Sequence, residues 1–164
     1  MRSSDKFLIA IVAGVILLIG IAFTVVLLQP EPTYQSEDTP EGVAHNYLLA
    51  LQKEDYDRAY TYLSETLPGY PKDLSEFTQS IERYSWNFQT RADTTLTIDS
   101  VELNGSHATV TVRENRFHER GLFESSQGIS IFGMHLLLDQ GKWVITDSDD
   151  YFVWCWGSET GCQY

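Results

Sequence analysis

The chain has 164 residues, 43% of them hydrophobic, and its 23 acidic against 11 basic side chains give a formal net charge of −12. Such an acidic surface repels nucleic-acid phosphates and anionic lipid headgroups, so nucleic-acid binding is excluded as a function. The length allows one ordinary domain beside a short extra segment, and the sequence contains no internal repeat.

The first predicted element is an apolar run at residues 7–28 that contains no charged side chain. As a helix it would be about 33 Å long, which matches the hydrocarbon core of a bilayer. A cleavable signal peptide has a shorter apolar region and a small-residue cleavage site. A buried core helix needs more apolar surroundings than the rest of the chain offers. We therefore predict a single membrane-spanning helix, with the lipid bilayer as its partner.

The charges on either side of this run predict its orientation. Arg2 and Lys6 precede it and acidic residues follow it, which favours a cytoplasmic N-terminus at residues 1–6. The remainder is then expected outside the plasma membrane. Residues 31–164 keep 9 of the 11 basic and 22 of the 23 acidic side chains, a formal charge of −13. Residues 29–38, QPEPTYQSED, have the composition of a spacer, so the domain is predicted at residues 39–164.

Three short amphipathic helices are predicted next. The first has Thr39 as its N-cap, carries an apolar stripe and ends near Gln52. The second is capped by Asp55 and ends before a Pro-Gly pair. The third starts near Asp73 or Ser75. Each of these helices is apolar on one side only, so each needs a surface to cover.

Antiparallel strands supply that surface. Alternation with a period of two begins at Leu96 and slips at residues 99–100, which predicts a bulge. Asn-Gly at residues 104–105 and Gln-Gly at residues 140–141 predict tight turns, with a strand at residues 129–138 and another after the second turn. The sequence thus predicts an α+β fold, in which three helices pack on one face of a curved antiparallel sheet.

The helix pair EGVAHNYLLALQKEDYDRAYTYLSE, followed by a third helix and a strand meander, resembles the nuclear transport factor 2-like superfamily, the cystatin-like α+β cone. The resemblance covers about residues 39–150. It implies a cone-like sheet around the first helix, a pocket inside the cone and a homodimer that pairs through the open sheet face. It implies no particular activity, because this scaffold serves isomerases, dehydratases, ligand binders and dimerisation modules alike.

Enzymes on this scaffold place an Asp or His in the pocket and often use a Tyr as a donor to an oxyanion. The candidate pocket residues here are Tyr47, Tyr60, Tyr84, His135 and Trp143, with His118 as a further candidate and Asp93 or Asp99 as bases. None lies in a motif that matches the family residue by residue, so no catalytic residue and no cofactor are predicted. A helical tyrosine more often packs than reacts, and alternation permits His135 to face solvent, which we favour.

The C-terminal tail, YFVWCWGSETGCQY, contains both cysteines of the chain. In an oxidising compartment a Cys155–Cys162 disulfide is favoured over two free thiols, and a zinc site lacks further ligands nearby. Residues 147–150, DSDD, are interpreted as a solvated acidic loop rather than a calcium site, so no metal is predicted. The aromatic residues of the tail either plug the open end of the cone or form an exposed patch. The plug is favoured.

Two functions of different class remain. The first is a membrane-anchored, extracytoplasmic, non-catalytic module that binds a small apolar ligand or a protein. The second is a small isomerase, dehydratase or hydrolase that uses an acid-base pair in the cone. A pocket filled by aromatic side chains would favour the first, whereas a buried pair of a carboxylate with His or Tyr would favour the second.

Overall fold

The computed structural model describes residues 3–28, 32–88, 94–119 and 125–162. The chain forms two compact units, Met1–Pro32 and Thr33–Tyr164. The first consists of helix α1, Ser3–Leu27. Its segment Phe7–Val25 has a mean hydropathy of 3.0, and none of it is buried. By length and composition it is able to cross a bilayer, as either a membrane anchor or a signal sequence.

The second unit begins with the three predicted helices. They are α2 Pro40–Gln52, α3 Tyr56–Thr61 and α4 Leu74–Arg83. The N-cap side chains of Thr39, Asp55 and Asp73 each accept a hydrogen bond from the backbone N–H three residues further on, at 3.1, 3.3 and 2.9 Å. These bonds satisfy N–H groups that have no partner within the helix, which is why the helices begin where they do.

Four antiparallel strands follow and form one sheet in the order β1-β2-β3-β4. They are β1 Thr94–Asn104, β2 His107–Glu119, β3 Ser125–Asp139 and β4 Lys142–Ser148. The predicted bulge is present, since the β1–β2 register shifts between Ile98 and Ser100. Strand β3 starts before residue 129 because the polar residues 125–128, which show no apolar alternation, still pair with β2.

Both predicted hairpin turns are formed. Gln140 and Gly141 have φ values of 47° and 84° and lie between the paired residues Asp139 and Lys142. Two successive positive φ angles give a turn whose twist matches that of the strands. At the first turn Gly105 has a φ of 63°, which glycine adopts without steric cost.

The core lies between the inner face of the sheet and helix α2. Its sheet side comprises Val110, Val112, Phe132, Met134, Leu136 and Ile145, and its helix side comprises Val43, Ala44, Tyr47, Leu48 and Leu51, all buried. The edge of β4 is partly covered, since Ser64 N–H donates to the carbonyl of Ile145 at 2.9 Å. The predicted α+β class is confirmed. Because these core residues all belong to the second unit, that unit carries a hydrophobic core of its own.

The aromatic tail packs onto this core. Tyr151, Phe152, Val153 and Trp156 are buried, and the indole ring of Trp156 stacks on Phe77 with 5.3 Å between the ring centroids. The backbone of the tail is held too, because Gly69 N–H donates to the carbonyl of Trp156 at 2.9 Å. The tail therefore closes the interior, as the plug interpretation expects.

The predicted disulfide joins Cys155 and Cys162, whose Cα atoms are 5.0 Å apart. Replacing both cysteines by serine is expected to lower the free energy of unfolding by about 2 kcal/mol, because the bond closes a short loop in the unfolded chain. Urea unfolding of the domain with and without reductant measures this. The single Cys162→Ser variant should lose as much as the double variant, and a wild-type domain that titrates with two free thiols would contradict the bond.

Candidate functional site

The structure does not bring the predicted pocket residues together. Tyr47 lies inside the core, where its hydroxyl donates to the backbone carbonyl of Tyr151 at 2.7 Å and burial raises its pKa. Tyr84 caps the end of α4 and packs half-buried against the core. The Tyr47 hydroxyl is therefore not presented in an open pocket, because it is buried and bonded to the backbone.

Two further predicted candidates lie at the surface. His135 is exposed on the outer face of the sheet, where its Nδ1 lies 3.3 Å from Thr109 Oγ1. Asp99 sits in the β1 bulge and accepts a hydrogen bond of 2.7 Å from Arg113. Asp93 and the side chain of His118 lie outside the described residues.

Tyr60 and Trp143 line two neighbouring clefts on the side of the domain where α3 meets β4. Tyr60 stacks on Tyr70, with 5.2 Å between the ring centroids, in a cleft of about 450 Å³. Trp143 lines a second cleft of about 300 Å³ together with Glu37. The two clefts share Lys142 in their walls. Both are open to solvent and mix aromatic with charged groups.

A buried polar cluster that the sequence interpretation missed is centred on Glu114 of β2. Ala108, Val110 and Val112 alternate toward the core, and Glu114 occupies the next inward position with 1% of its surface exposed. Its Oε1 accepts hydrogen bonds from the Tyr151 hydroxyl at 2.7 Å and from Arg116 Nε at 2.8 Å. The sequence does contain a signal for this cluster, because Glu114 is a carboxylate at an inward position of a strand whose other inward positions are apolar.

The remaining oxygen of Glu114, Oε2, is buried without a hydrogen-bond partner among the described residues. A buried polar atom without a partner is costly, so it marks either strain or a place where a ligand group would bind. Two ionisable groups near Glu114 have raised pKa values. Burial and then the hydrogen bond to Glu114 raise the pKa of Tyr151, and burial and then the charge of Glu114 raise the pKa of Asp150.

Chemically, Glu114 and Tyr151 form the carboxylate-tyrosine type of pair that acid-base catalysis uses. The pair is closed off in this structure, however. The ring of Tyr151 packs on Phe132 with 5.5 Å between the centroids, and Tyr47 and Trp156 lie buried nearby in the same core. Proton transfer to a substrate would require this packing to open.

The described residues contain no group of three or more His, Cys, Asp or Glu side chains placed to hold a metal ion. In the acidic segment at residues 147–150, Asp149 instead accepts a hydrogen bond of 2.9 Å from the backbone N–H of Gly133. Asp147 likewise accepts one of 2.9 Å from the N–H of Ser148. These carboxylates therefore bind backbone groups of the last two strands.

No protein-family model and no curated protein matches the chain. Among solved structures, it is similar to a SEC-C motif containing protein from Rhodopseudomonas palustris, with 13% identity over 72% of this chain and 83% of that one, at a TM-score of 0.48. It is similar to a proposed ketosteroid isomerase from Shewanella frigidimarina, with 17% identity over 69% and 95%, also at 0.48.

It is similar as well to a proposed dehydratase of the NTF2-like family from Streptomyces avermitilis, with 9% identity over 65% of this chain and 88% of that one, at a TM-score of 0.43. At these identities and TM-scores, the likenesses do not extend to a ligand, a reaction or a partner. What the chain has in common with these three structures is thus limited to a similar arrangement of part of its fold.

Proposed function

We propose that the protein is a membrane-anchored, extracytoplasmic interaction module that acts without catalysis and binds protein through the surface of its domain. The apolar helix would serve as the anchor in the plasma membrane, with residues 1–6 in the cytoplasm. The Cys155–Cys162 disulfide is compatible with an oxidising compartment outside.

The observation that carries this proposal is the filled interior. Tyr47, Tyr151 and Trp156 are each at most 1% exposed, so the space that a cone would offer to a ligand is taken by the chain's own aromatic rings. A core packed in this way resists the entry of a small molecule, because every added atom must displace one already in contact. Binding is then left to the outside of the domain.

The outer face of the sheet is the surface we assign to this binding. Phe117, Ile129 and Ile131 on β2 and β3 are 47%, 59% and 56% exposed there, and Arg113 pairs with Asp99 at 2.7 Å. We take the partner to be a second copy of this chain. Two copies that each carry a net charge of −12 repel one another. They therefore associate most favourably through an apolar part of the surface, where Arg113, the register partner of Ile131, is already paired with Asp99.

Native mass spectrometry and sedimentation velocity of residues 33–164 test this proposal. We expect a dimer with one disulfide per chain and no retained small molecule. Ile131→Lys should yield a folded monomer, because it places charges inside the interface and leaves the core intact. Leu103→Lys, at an exposed leucine beside the first hairpin turn, is the matched control and should leave the dimer intact.

A wild-type domain that stays monomeric at every concentration would overturn the dimer. A retained small molecule would favour the second candidate, an isomerase, dehydratase or hydrolase. The observation in favour of that candidate is the buried Glu114–Tyr151 pair with its unpartnered Oε2. Retention that is lost in Glu114→Gln would assign the ligand to this pair.

A further inference from the structure

The backbone of residues 34–37 lies on helix α2, although the composition of this part of the chain is that of a spacer. Gln35 makes two hydrogen bonds with the side chain of Asn46. Its N–H donates to Asn46 Oδ1 at 2.7 Å, and its carbonyl accepts from Asn46 Nδ2 at 2.9 Å. Asn46 is fully buried beneath this contact. An amide side chain that binds both backbone groups of one residue recognises an extended segment, as a neighbouring strand would.

Gly42 shows how closely the segment approaches the helix. A Cβ atom placed on Gly42 would overlap the backbone carbonyl oxygen of Ser36. Gly42 and Asn46 are four residues apart and therefore lie on the same face of α2. Because Gly42 has no side chain and Asn46 presents its amide, these two positions form a groove. A chain that enters it lies in direct backbone contact with α2.

Side chains hold both ends of the segment. The Tyr34 hydroxyl donates to Asp55 at 2.9 Å, and the guanidinium of Arg58 lies 3.6 Å from the centre of the Tyr34 ring. At the other end Glu37 accepts hydrogen bonds from Arg58 at 2.9 Å and from the Tyr62 hydroxyl at 2.7 Å. These two bonds, that of Tyr62 first, lower the pKa of Glu37. Arg58 thus contacts the aromatic and the acidic residue of a Tyr-x-x-Glu sequence at once.

We infer that α2 and α3 form a docking groove for an extended Tyr-x-x-Glu segment, and that the chain's own residues 34–37 occupy it as a strap between the apolar helix and the domain. We call the part of the chain that links the apolar helix to the domain the tether, and docking of residues 34–37 shortens it. When the strap is bound, the domain holds the chain from Thr33 onward, whose carbonyl lies 3.2 Å from His45 Nε2, whereas on release it holds the chain only from the helix cap at Thr39 onward. Six more extended residues lengthen the tether by about 20 Å. With the apolar helix anchored as in the proposed function, on which this consequence rests, the groove sets how far the domain can reach from the membrane.

Hydrogen exchange of the full chain in detergent micelles, read by mass spectrometry, tests this inference. In the wild type we expect the Gln35 amide, within the peptide that covers residues 33–38, to exchange at least about tenfold more slowly than in a free peptide of the same sequence. Gly42→Ala and Arg58→Ala should each raise its exchange to the free-peptide rate, while peptides from β2 stay protected. Alanine is the better helix former, so Gly42→Ala displaces the strap without weakening α2 itself.

Gln79→Ala, at an exposed position of α4, is the control and should change nothing. A wild-type strap that exchanges like the free peptide would overturn the inference, and so would protection that survives in both Gly42→Ala and Arg58→Ala. If Gly42→Ala also exposed β2, the surface variant Arg58→Ala would decide the matter alone. None of these outcomes depends on whether the domain dimerises or binds a ligand.

Discussion

Replacing Trp156 by alanine is expected to lower the free energy of unfolding of the domain by about 3–5 kcal/mol. The indole is fully buried, stacks on Phe77 and meets Phe152 edge to face with 5.1 Å between the ring centroids. Its loss leaves a cavity that the surrounding rings cannot refill without moving. Urea unfolding of residues 33–164 measures the effect.

Trp156 ends a short 3-10 helix, Trp154–Trp156, which also contains a matched control. Trp154 is 64% exposed, so Trp154→Ala should change the free energy of unfolding by less than about 0.5 kcal/mol. Equal losses in the two variants would mean that the tail does not pack as the structure has it. A folded Trp156→Ala domain that has become able to bind small aromatic molecules would indicate that this indole occupies the space of a ligand.

The Glu114–Tyr151 hydrogen bond is expected to contribute about 1.5–3 kcal/mol, since one partner carries a charge that has little access to water. Tyr151→Phe should lose this amount in urea unfolding at neutral pH. Tyr47→Phe, which removes a buried hydroxyl that bonds to a neutral carbonyl, should lose about 0.5–1.5 kcal/mol. The larger loss at Tyr151 would identify the carboxylate as the cause.

A double-mutant cycle separates this hydrogen bond from packing. In a Glu114→Met background the Tyr151 hydroxyl no longer has a charged partner, so Tyr151→Phe should then cost less than about 0.5 kcal/mol. A cost that stays the same in both backgrounds would show that the hydroxyl acts through another group. Arg116 keeps access to water in every variant, because its side chain is 49% exposed.

The candidate site shows where sequence interpretation reaches its limit. Alternation along β2 places Glu114 on the inner face, but its partner Tyr151 lies 37 residues further on, beyond the last strand. No local pattern joins the two. The candidates that the structure describes lie apart for the same reason, since a tyrosine on a helix or a histidine on a strand has a defined face but no defined neighbour.

Residues 34–37 give a second example. Prolines, polar residues and acidic residues are typical of a spacer, and composition alone predicts one. The groove that binds this segment is formed by Gly42 and Asn46 of one helix and Arg58 of the next. Its existence depends on how α2 and α3 pack, which is a tertiary property.

The sequence by itself determined the apolar N-terminal helix, the starts of α2 and α3, the β1 bulge, the two hairpin turns and the α+β class, and it narrowed the start of α4 to Asp73 or Ser75. These features depend on caps, turn residues and periodicity, which act over a few neighbouring residues and so can be read from the chain. Only the tertiary structure decided that the aromatic tail fills the interior, that Glu114 meets Tyr151 beneath it, and that residues 34–37 dock on α2. Each of these contacts joins different elements, and their free energy comes from burial and hydrogen bonds that exist only once the elements have packed.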